Sequence, residues 1–464
     1  MQEKSRLTQA LTPLDLRSLA LFRVAIGLIL ICDLADRLLH SELYGLSHWR
    51  PGSSGVLSAL GGAANSLAVQ QTFLAVLTVA VCFYVIGYKT WLSNLATWLM
   101  LLVLHGFESR LLNSGDVLLR AFFFWSLFLP VGKRFSADAK YGREDGSTTA
   151  PRLASLALMI QIICPYFFSA VCKLHTEAWC NGYGMYYSLI RSDEAKALGL
   201  LIAGLPKFSL ISMNYAVLAV ELFAPFLMFS PVENARCRQF AVYLFAGFHA
   251  AMFLTLDVGQ FTFICAAGWL AILPSSFWKE QPSLQAGAWM SRRADYLTLA
   301  CLVLVVASNI QSLPGVSLEL PSAVESVRFS LGLNQRFKMY SSASGTGGWI
   351  RGRSRWITMP GLLVDGTCAD LFTNRESCSM SRPAVISDTF FSEHWRKLTE
   401  KTFRARDQET MSRMAEYFCR SWNQNHAGEK KLSRFGITLV QQHERPDGSS
   451  SAPIEENLFQ QDCP

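Results

Sequence analysis

Apolar residues run for membrane length, with few charges among them, through the first two thirds of this chain. After about residue 313 they give way to shorter stretches in which apolar and charged residues share helix or strand spacing. A hydrocarbon core of ~30 Å takes about 20 helical residues. The pattern therefore predicts nine spans, at roughly 19–38, 69–88, 90–106, 116–132, 153–173, 209–230, 238–255, 258–274 and 295–313. Only Gly87-Tyr88-Lys89 separates the second from the third. The fourth and eighth are short, so either is a candidate for a re-entrant segment. Arg23, Asp33, Asp36 and Arg37 interrupt the first run and no small-x-small site follows it, which reads as a retained anchor rather than a cleaved leader.

Two domains follow from this pattern. Residues 1–313 form a transmembrane helical domain, and residues 314–464 form a mixed α/β domain. In the second, RWITMPGLLVDGTCADLF reads as two strands joined near Asp365-Gly366, a dipeptide suited to the positive φ of a tight hairpin. The segment QETMSRMAEYFCRSWNQ places Met411, Met414, Ala415, Phe418 and Trp422 at helical spacing, and FGITLVQQ follows as a strand. From Pro446 onward the chain is polar and reads as a loose tail.

Composition agrees: 51% hydrophobic and 17% charged residues over 464 positions is too apolar for an ordinary soluble enzyme of this size. Basic residues set the orientation, because basic loops resist translocation. With a cytoplasmic amino terminus, fourteen lysines and arginines fall in inner segments, among them Lys89, Lys133, Arg134, Arg292 and Arg293. Six fall outside: Arg50, Arg110, Lys173, Arg191, Lys196 and Lys207. An odd number of spans then makes the C-terminal domain extracytoplasmic. The net charge of +7 is largely this inner-loop bias, so no nucleic-acid partner is read from it. The twelve cysteines show no CxxC or Cys/His ligand spacing, and no metal site is expected. Cys180, Cys368, Cys378, Cys419 and Cys463 would face an oxidising compartment, with room for one or two disulfides whose pairing the spacing does not set.

Ionisable residues inside hydrocarbon cost about 2.5–3.5 kcal/mol each on insertion scales and need a partner or a wet cavity. Arg23 with Asp33, and Asp116 with Arg120, read as structural ion pairs that fix helix packing, the second at i to i+4 spacing. Glu221 lies just before Pro225, where a structural hydrogen bond competes with a functional role. His249 lies mid-span beside Phe248, where packing competes with function in the same way. Lys173 ends the fifth apolar run. A lysine there can snorkel to the headgroups. Alternatively, the aromatic stretch WCNGYGMYY walls it from water, which disfavours the ammonium and leaves a neutral amine able to act as a general base.

Several segments carry a resemblance: LALFRVAIGLILICD, NSGDVLLRAFFFWSLFLPVGKR, QIICPYFFSAVCKLHTEAWCNGYGMYY, VELFAPFLMF, FHAAMFLTLDVGQFTF and LGLNQRFKMYSS. In order and spacing the chain resembles the vitamin K-dependent γ-glutamyl carboxylases and their bacterial relatives with a horizontally transferred transmembrane (HTTM) domain. The resemblance implies a membrane enzyme that oxidises reduced vitamin K, or a related quinol, with O₂. The strong base so formed removes a γ-proton from glutamate, and CO₂ adds. It assigns Lys173 as the base that deprotonates the quinol. His249 and Glu221 would line the quinol pocket, and Trp179, Gly182 and Tyr183 would shape its mouth. Membrane lipid and a secreted peptide or protein substrate are the implied partners, in a bacterial cytoplasmic membrane or, in a eukaryote, the endoplasmic reticulum.

The chain also departs from that family. ESRLL stands where the carboxylases carry a second catalytic histidine, the nearest histidine being His105 upstream, and the C-terminal domain is shorter than that of the animal enzymes. Epoxidation without carboxylation, a peptide-maturation or export partner, and a membrane scaffold are the alternatives these departures leave.

Overall fold

The computed structural model describes residues 14–47, 66–107, 111–141, 150–190, 194–278, 292–341, 353–372, 378–445 and 449–464. Among them, seven helices are long and apolar enough to cross a membrane. These are α1 (Leu16–Leu39), α2 (Leu67–Ile86), α3 (Thr90–Phe107), α5 (Arg152–Leu174), α6 (Lys207–Phe223), α7 (Asn234–Thr255) and α9 (Arg292–Gln311), and a 3₁₀ turn at Ala224–Phe229 prolongs α6 through Pro225. Two shorter helices stand where the fourth and eighth spans are expected: α4 (Ser114–Ser126), of 13 residues, and α8 (Phe261–Leu270), of 10. The nine-span expectation is thus reduced to seven helices of membrane length.

The physical reason is location. α4 and α8 sit in the middle of the bundle, where Leu118, Phe122, Phe123, Trp125, Ile264, Cys265 and Trp269 are buried together, and irregular ends are tolerated where protein surrounds them. The outer helices differ, with Leu92, Leu99, Phe240, Tyr243, Leu297 and Val303 exposed. Apolar exposure on this scale marks a surface that contacts membrane lipid.

Local sequence explains the helix ends. Asp15 caps α1 and binds Arg17 at 2.7 Å. Gly87, at φ 74°, closes α2 in the left-handed conformation that glycine reaches without strain. Asp138 accepts from the Lys89 and Thr90 amides to start α3. Asn113 and Asp116 form a capping box at α4.

These caps also correct the expected ion pairs. Arg23 and Asp33 are ten residues apart on one helix, about 15 Å of rise, and they do not meet. Arg23 instead donates to the Val131, Val85 and Phe135 carbonyls at 3.1, 3.3 and 2.5 Å. Asp33 pairs with Arg37 at 2.6 Å. Asp116 turns back to the Asn113 amide at 2.7 Å and faces Arg37 at 3.4 Å. Arg120 instead binds the Gly332 carbonyl at 3.2 Å and His105 Nδ1 at 3.1 Å.

The expected domain boundary near residue 313 falls elsewhere in space. Helix α10 (Ser322–Ser330) and the segment after it return to the bundle, where Leu333 and Phe337 join its core. Gln335 exchanges amide hydrogen bonds of 2.9 Å with Gln161 of α5.

Beyond residue 352 the described chain forms a lobe with a core distinct from that of the bundle, completed by Leu43, Leu46 and Leu111 from the N-terminal part of the chain. Strand β4 (Leu432–His443) is central. β1 (Arg353–Thr358) and β2 (Pro360–Leu363) pair end to end along one side of it, β5 (Ile454–Asp462) pairs along the other, and β3 (Cys368–Asp370) completes the hairpin with β2, all antiparallel. The hairpin turns at Asp365-Gly366 as expected, with Gly366 at φ 79°. Helices α11 (Glu393–Ala405) and α12 (Gln408–Asn425) bury Leu398, Met411, Met414 and Phe418 against the sheet. Disulfides join Cys368 to Cys378 and Cys419 to Cys463. The tail expected to be loose is β5. Its residues are largely exposed, so it carries little apolar signal, and backbone pairing with β4 orders it.

The lobe docks on the bundle at a close approach. Gly259, at φ 58°, lies so near Glu393 that a Cβ there would stand 1.3 Å from Glu393 Oε2. Gly259→Ala is therefore expected to cost about 2–4 kcal/mol in backbone strain and overlap, read as earlier proteolytic release of the lobe. Wild-type resistance in that variant would contradict the docking.

Candidate functional site

Where α4 begins, α5 and α7 pass, and α11 of the lobe closes over them, the protein encloses a cavity of about 830 Å³. Helix α5 presents Tyr166, Ser169 and Lys173 to it at i, i+3 and i+7, one face of a helix. Helix α7 adds Phe248, His249 and Met252, α6 adds Glu221, and the segment after α10 adds Phe337 and Met339. Ser169 Oγ ties that segment down by donating to the Met339 carbonyl at 3.0 Å.

Lys173 and Glu221, both expected at this site, meet. The Lys173 ammonium lies 2.6 Å from each Glu221 oxygen, and both side chains are buried, at 3% and 5% exposure. The sequence leaves two readings of Lys173, an amine snorkelling to the headgroups and a desolvated neutral amine. The site instead presents a lysine–carboxylate pair, because the crossing of α5 with α6 brings Glu221 to the lysine rather than to a separate stretch of pocket wall.

Trp179 is buried behind the lysine, its ring centroid 4.9 Å from Nζ, and its indole N–H donates to the Tyr340 carbonyl at 2.6 Å. Gly184 lets that ring lie flat on the backbone, since a Cβ would come within 2.2 Å of it. Trp179 thus backs the lysine instead of shaping a mouth. Tyr183 points elsewhere, its ring 5.1 Å from the Lys207 ammonium and outside the cavity wall.

His249 is buried at 2% exposure, with Nε2 at 2.6 Å from the Tyr166 hydroxyl; that hydroxyl also accepts from the Trp269 indole N–H at 2.9 Å. His105, the nearest histidine to the missing catalytic one, lies outside the cavity wall on Arg120. Residues 108–110, the ESR of ESRLL, lie outside the described residues.

The cavity changes character toward the lobe. Apart from the Lys173–Glu221 pair, its lining holds six cationic side chains, Arg396, Lys397, Lys401 and Arg404 from α11 and Arg336 and Lys338 from the segment after α10, against three carboxylates, Glu194, Glu393 and Glu400, an excess of three positive charges. Glu194 organises this end. It accepts from Arg396 at 3.1 Å and from the Tyr340 hydroxyl at 2.5 Å. Burial pushes the Glu393 carboxyl above its ordinary range. Burial, with the Lys397 charge nearby, brings the Lys401 ammonium down to about 8.

Sequence reasoning missed Tyr166, Glu194, Tyr340 and the whole α11 contribution. Tyr166 was findable, seven residues before Lys173 on the same helix face. Glu194, Tyr340 and Arg396 reach the site from segments far apart in the chain, and no spacing rule joins them.

Residues 11–277, more than half of the chain, match the HTTM domain. No curated protein and no solved structure matches.

Proposed function

The chain belongs to the HTTM domain family, whose domain is found in vitamin K-dependent gamma-carboxylase, and from that premise we propose that it is a membrane-embedded, quinol-dependent enzyme with Lys173 as its base. One observation carries the reading: a buried lysine–carboxylate pair opens into a cavity with an apolar depth and a cationic mouth. The volume suits a small lipophilic ligand, since such sites run to about 300–1,000 Å³. The apolar walls suit a ring system, and the buried His249 Nδ1, which has no partner among the described residues, offers a polar contact within them. A bound hydroquinone, with O₂, would supply the strong base that a γ C–H beside a carboxylate requires and that no side chain can provide.

The protein's own part is proton handling. In a dry site the Lys173 proton can cross 2.6 Å to Glu221, converting an ion pair into a neutral acid and a neutral amine at no change in net charge. The amine lone pair then accepts a hydroxyl proton from the ligand, and the ammonium so formed stands beside the oxyanion left behind. Trp179 keeps water from the far side of the amine. The cationic mouth suits an acidic segment of a secreted peptide or protein as acceptor, and the two disulfides of the lobe support its placement in an oxidising, extracytoplasmic compartment.

The test is direct. Protein in lipid nanodiscs, given reduced vitamin K and O₂, is expected to form the epoxide. Lys173→Ala should lower the rate by about 10²–10⁴-fold, the usual contribution of a positioned base. No epoxide from the intact chain, or undiminished epoxide from the variant, overturns the proposal. Carboxylation is read separately, as the mass of CO₂ gained on glutamate in co-purified peptides.

A further inference from the structure

The proton positions at His249 follow from its neighbours. Trp269 Nε1 can only donate, so the Tyr166 oxygen accepts from it at 2.9 Å. The ring of Trp269 cannot turn away, being stacked on Phe245 at 4.2 Å between centroids and 6° between planes. One proton is left on the Tyr166 hydroxyl, and the contact open to it at 2.6 Å is His249 Nε2, a far better acceptor than any thiol nearby. Nε2 then carries the lone pair and Nδ1 carries the hydrogen. Phe248, Phe261 and Tyr166 surround the ring, a shell that favours the neutral imidazole. Among the described residues His249 Nδ1 has no hydrogen-bond partner, although the residue is 98% buried and lines the cavity. An orphan donor of this kind is costly unless something accepts from it.

We infer that His249 Nδ1–H is a hydrogen-bond donor to the ligand in the apolar depth of the cavity, held in that tautomer by Tyr166 and Trp269 as positioning residues. The ligand class it selects is an apolar ring bearing an acceptor oxygen, a carbonyl or an oxyanion, rather than a cation or a plain hydrocarbon. Tyr166 and Lys173 are seven residues apart on one helix, about 10 Å of rise, so the donor forms a second polar pole of the cavity, distinct from the basic one. This inference rests on the quinol reading for the choice of ligand. The tautomer does not depend on it.

The experiment has two arms. Nitrogen-15 NMR of histidine-labelled protein in lipid, with the His249→Leu variant to assign the signal, is expected to show a protonated Nδ1 and a bare Nε2, and mixed tautomers in Tyr166→Phe. Quenching of tryptophan fluorescence by 2-methyl-1,4-naphthoquinone should report binding that weakens about tenfold in His249→Leu and about two- to threefold in Tyr166→Phe. Binding of 2-methylnaphthalene, which has no oxygen, should be unchanged in both variants. A bare Nδ1 in the wild type overturns the inference, as does quinone binding indifferent to His249→Leu. Absence of any quinone binding to the intact chain overturns the ligand class together with the function proposed above. Intact binding with unshifted variants overturns the anchor alone.

Discussion

Replacing Lys173 by Met, or Glu221 by Leu, is expected to destabilise the bundle by about 3–5 kcal/mol in each case, and replacing both together to recover most of that loss. The reasoning is desolvation. Each partner is almost wholly out of water, so the survivor of a single replacement is a buried charge without compensation, whereas the double variant leaves only apolar surface of similar volume. A double-mutant cycle on thermal unfolding in nanodiscs measures the coupling. The double variant should be folded and catalytically silent, which separates the contribution of the pair to stability from its contribution to chemistry. A double variant no more stable than either single one would mean that the two side chains do not form the isolated pair described here.

The second large effect concerns the seam between lobe and bundle. His394 of α11 is buried with Nδ1 at 2.7 Å from Asp36 and Nε2 at 3.5 Å from Asp33. Nδ1 donates to the Asp36 carboxylate and Nε2 lies within ion-pair range of Asp33, an arrangement that favours the imidazolium. Asp116 and the Arg37 guanidinium belong to the same cluster, with His40 at 3.7 Å from Asp36 and Glu393 beside it on α11. Burial and Arg37 oppose the charge on His394, but the Asp36 hydrogen bond and the Asp33 and Asp116 carboxylates outweigh them, so its pKa is raised above 6.5. The sign of the linkage follows. The docking contribution is fully present below pH 6.5 and is lost as pH rises through the higher folded-state value. Spin labels on lobe and bundle should report tight docking at pH 6 and loosening at alkaline pH, and His394→Leu should loosen the seam at every pH. We expect a cost on the order of 2–3 kcal/mol, less than for a fully dry pair because Asp36 is a third exposed. Docking that is independent of pH, or tighter at alkaline pH, would contradict the imidazolium.

What could be read along the chain was whatever depends on composition and local period. Membrane-length apolar runs, the Asp365-Gly366 turn, the amphipathic face of α12 and the family resemblance needed no tertiary contact. Lys173, Glu221 and His249 stood out because charge and polarity are anomalous in hydrocarbon, wherever their partners lie. The partners were another matter. Arg23 and Asp33 looked paired because they share a helix, but helical rise separates them, and the carbonyls that satisfy Arg23 come from the loops after α2 and α4. α4 and α8 looked like spans because apolar composition does not distinguish a helix buried in protein from one facing lipid. β5 looked disordered because an edge strand is ordered by backbone pairing, which leaves no mark on side-chain pattern. Lys173 with Glu221, Tyr166 with His249, and Glu194 with Arg396 became neighbours only when the helices crossed and the lobe docked. A one-dimensional pattern records which residues cannot face lipid or water alone, while the choice of what each one faces is made by packing between segments that the pattern does not connect.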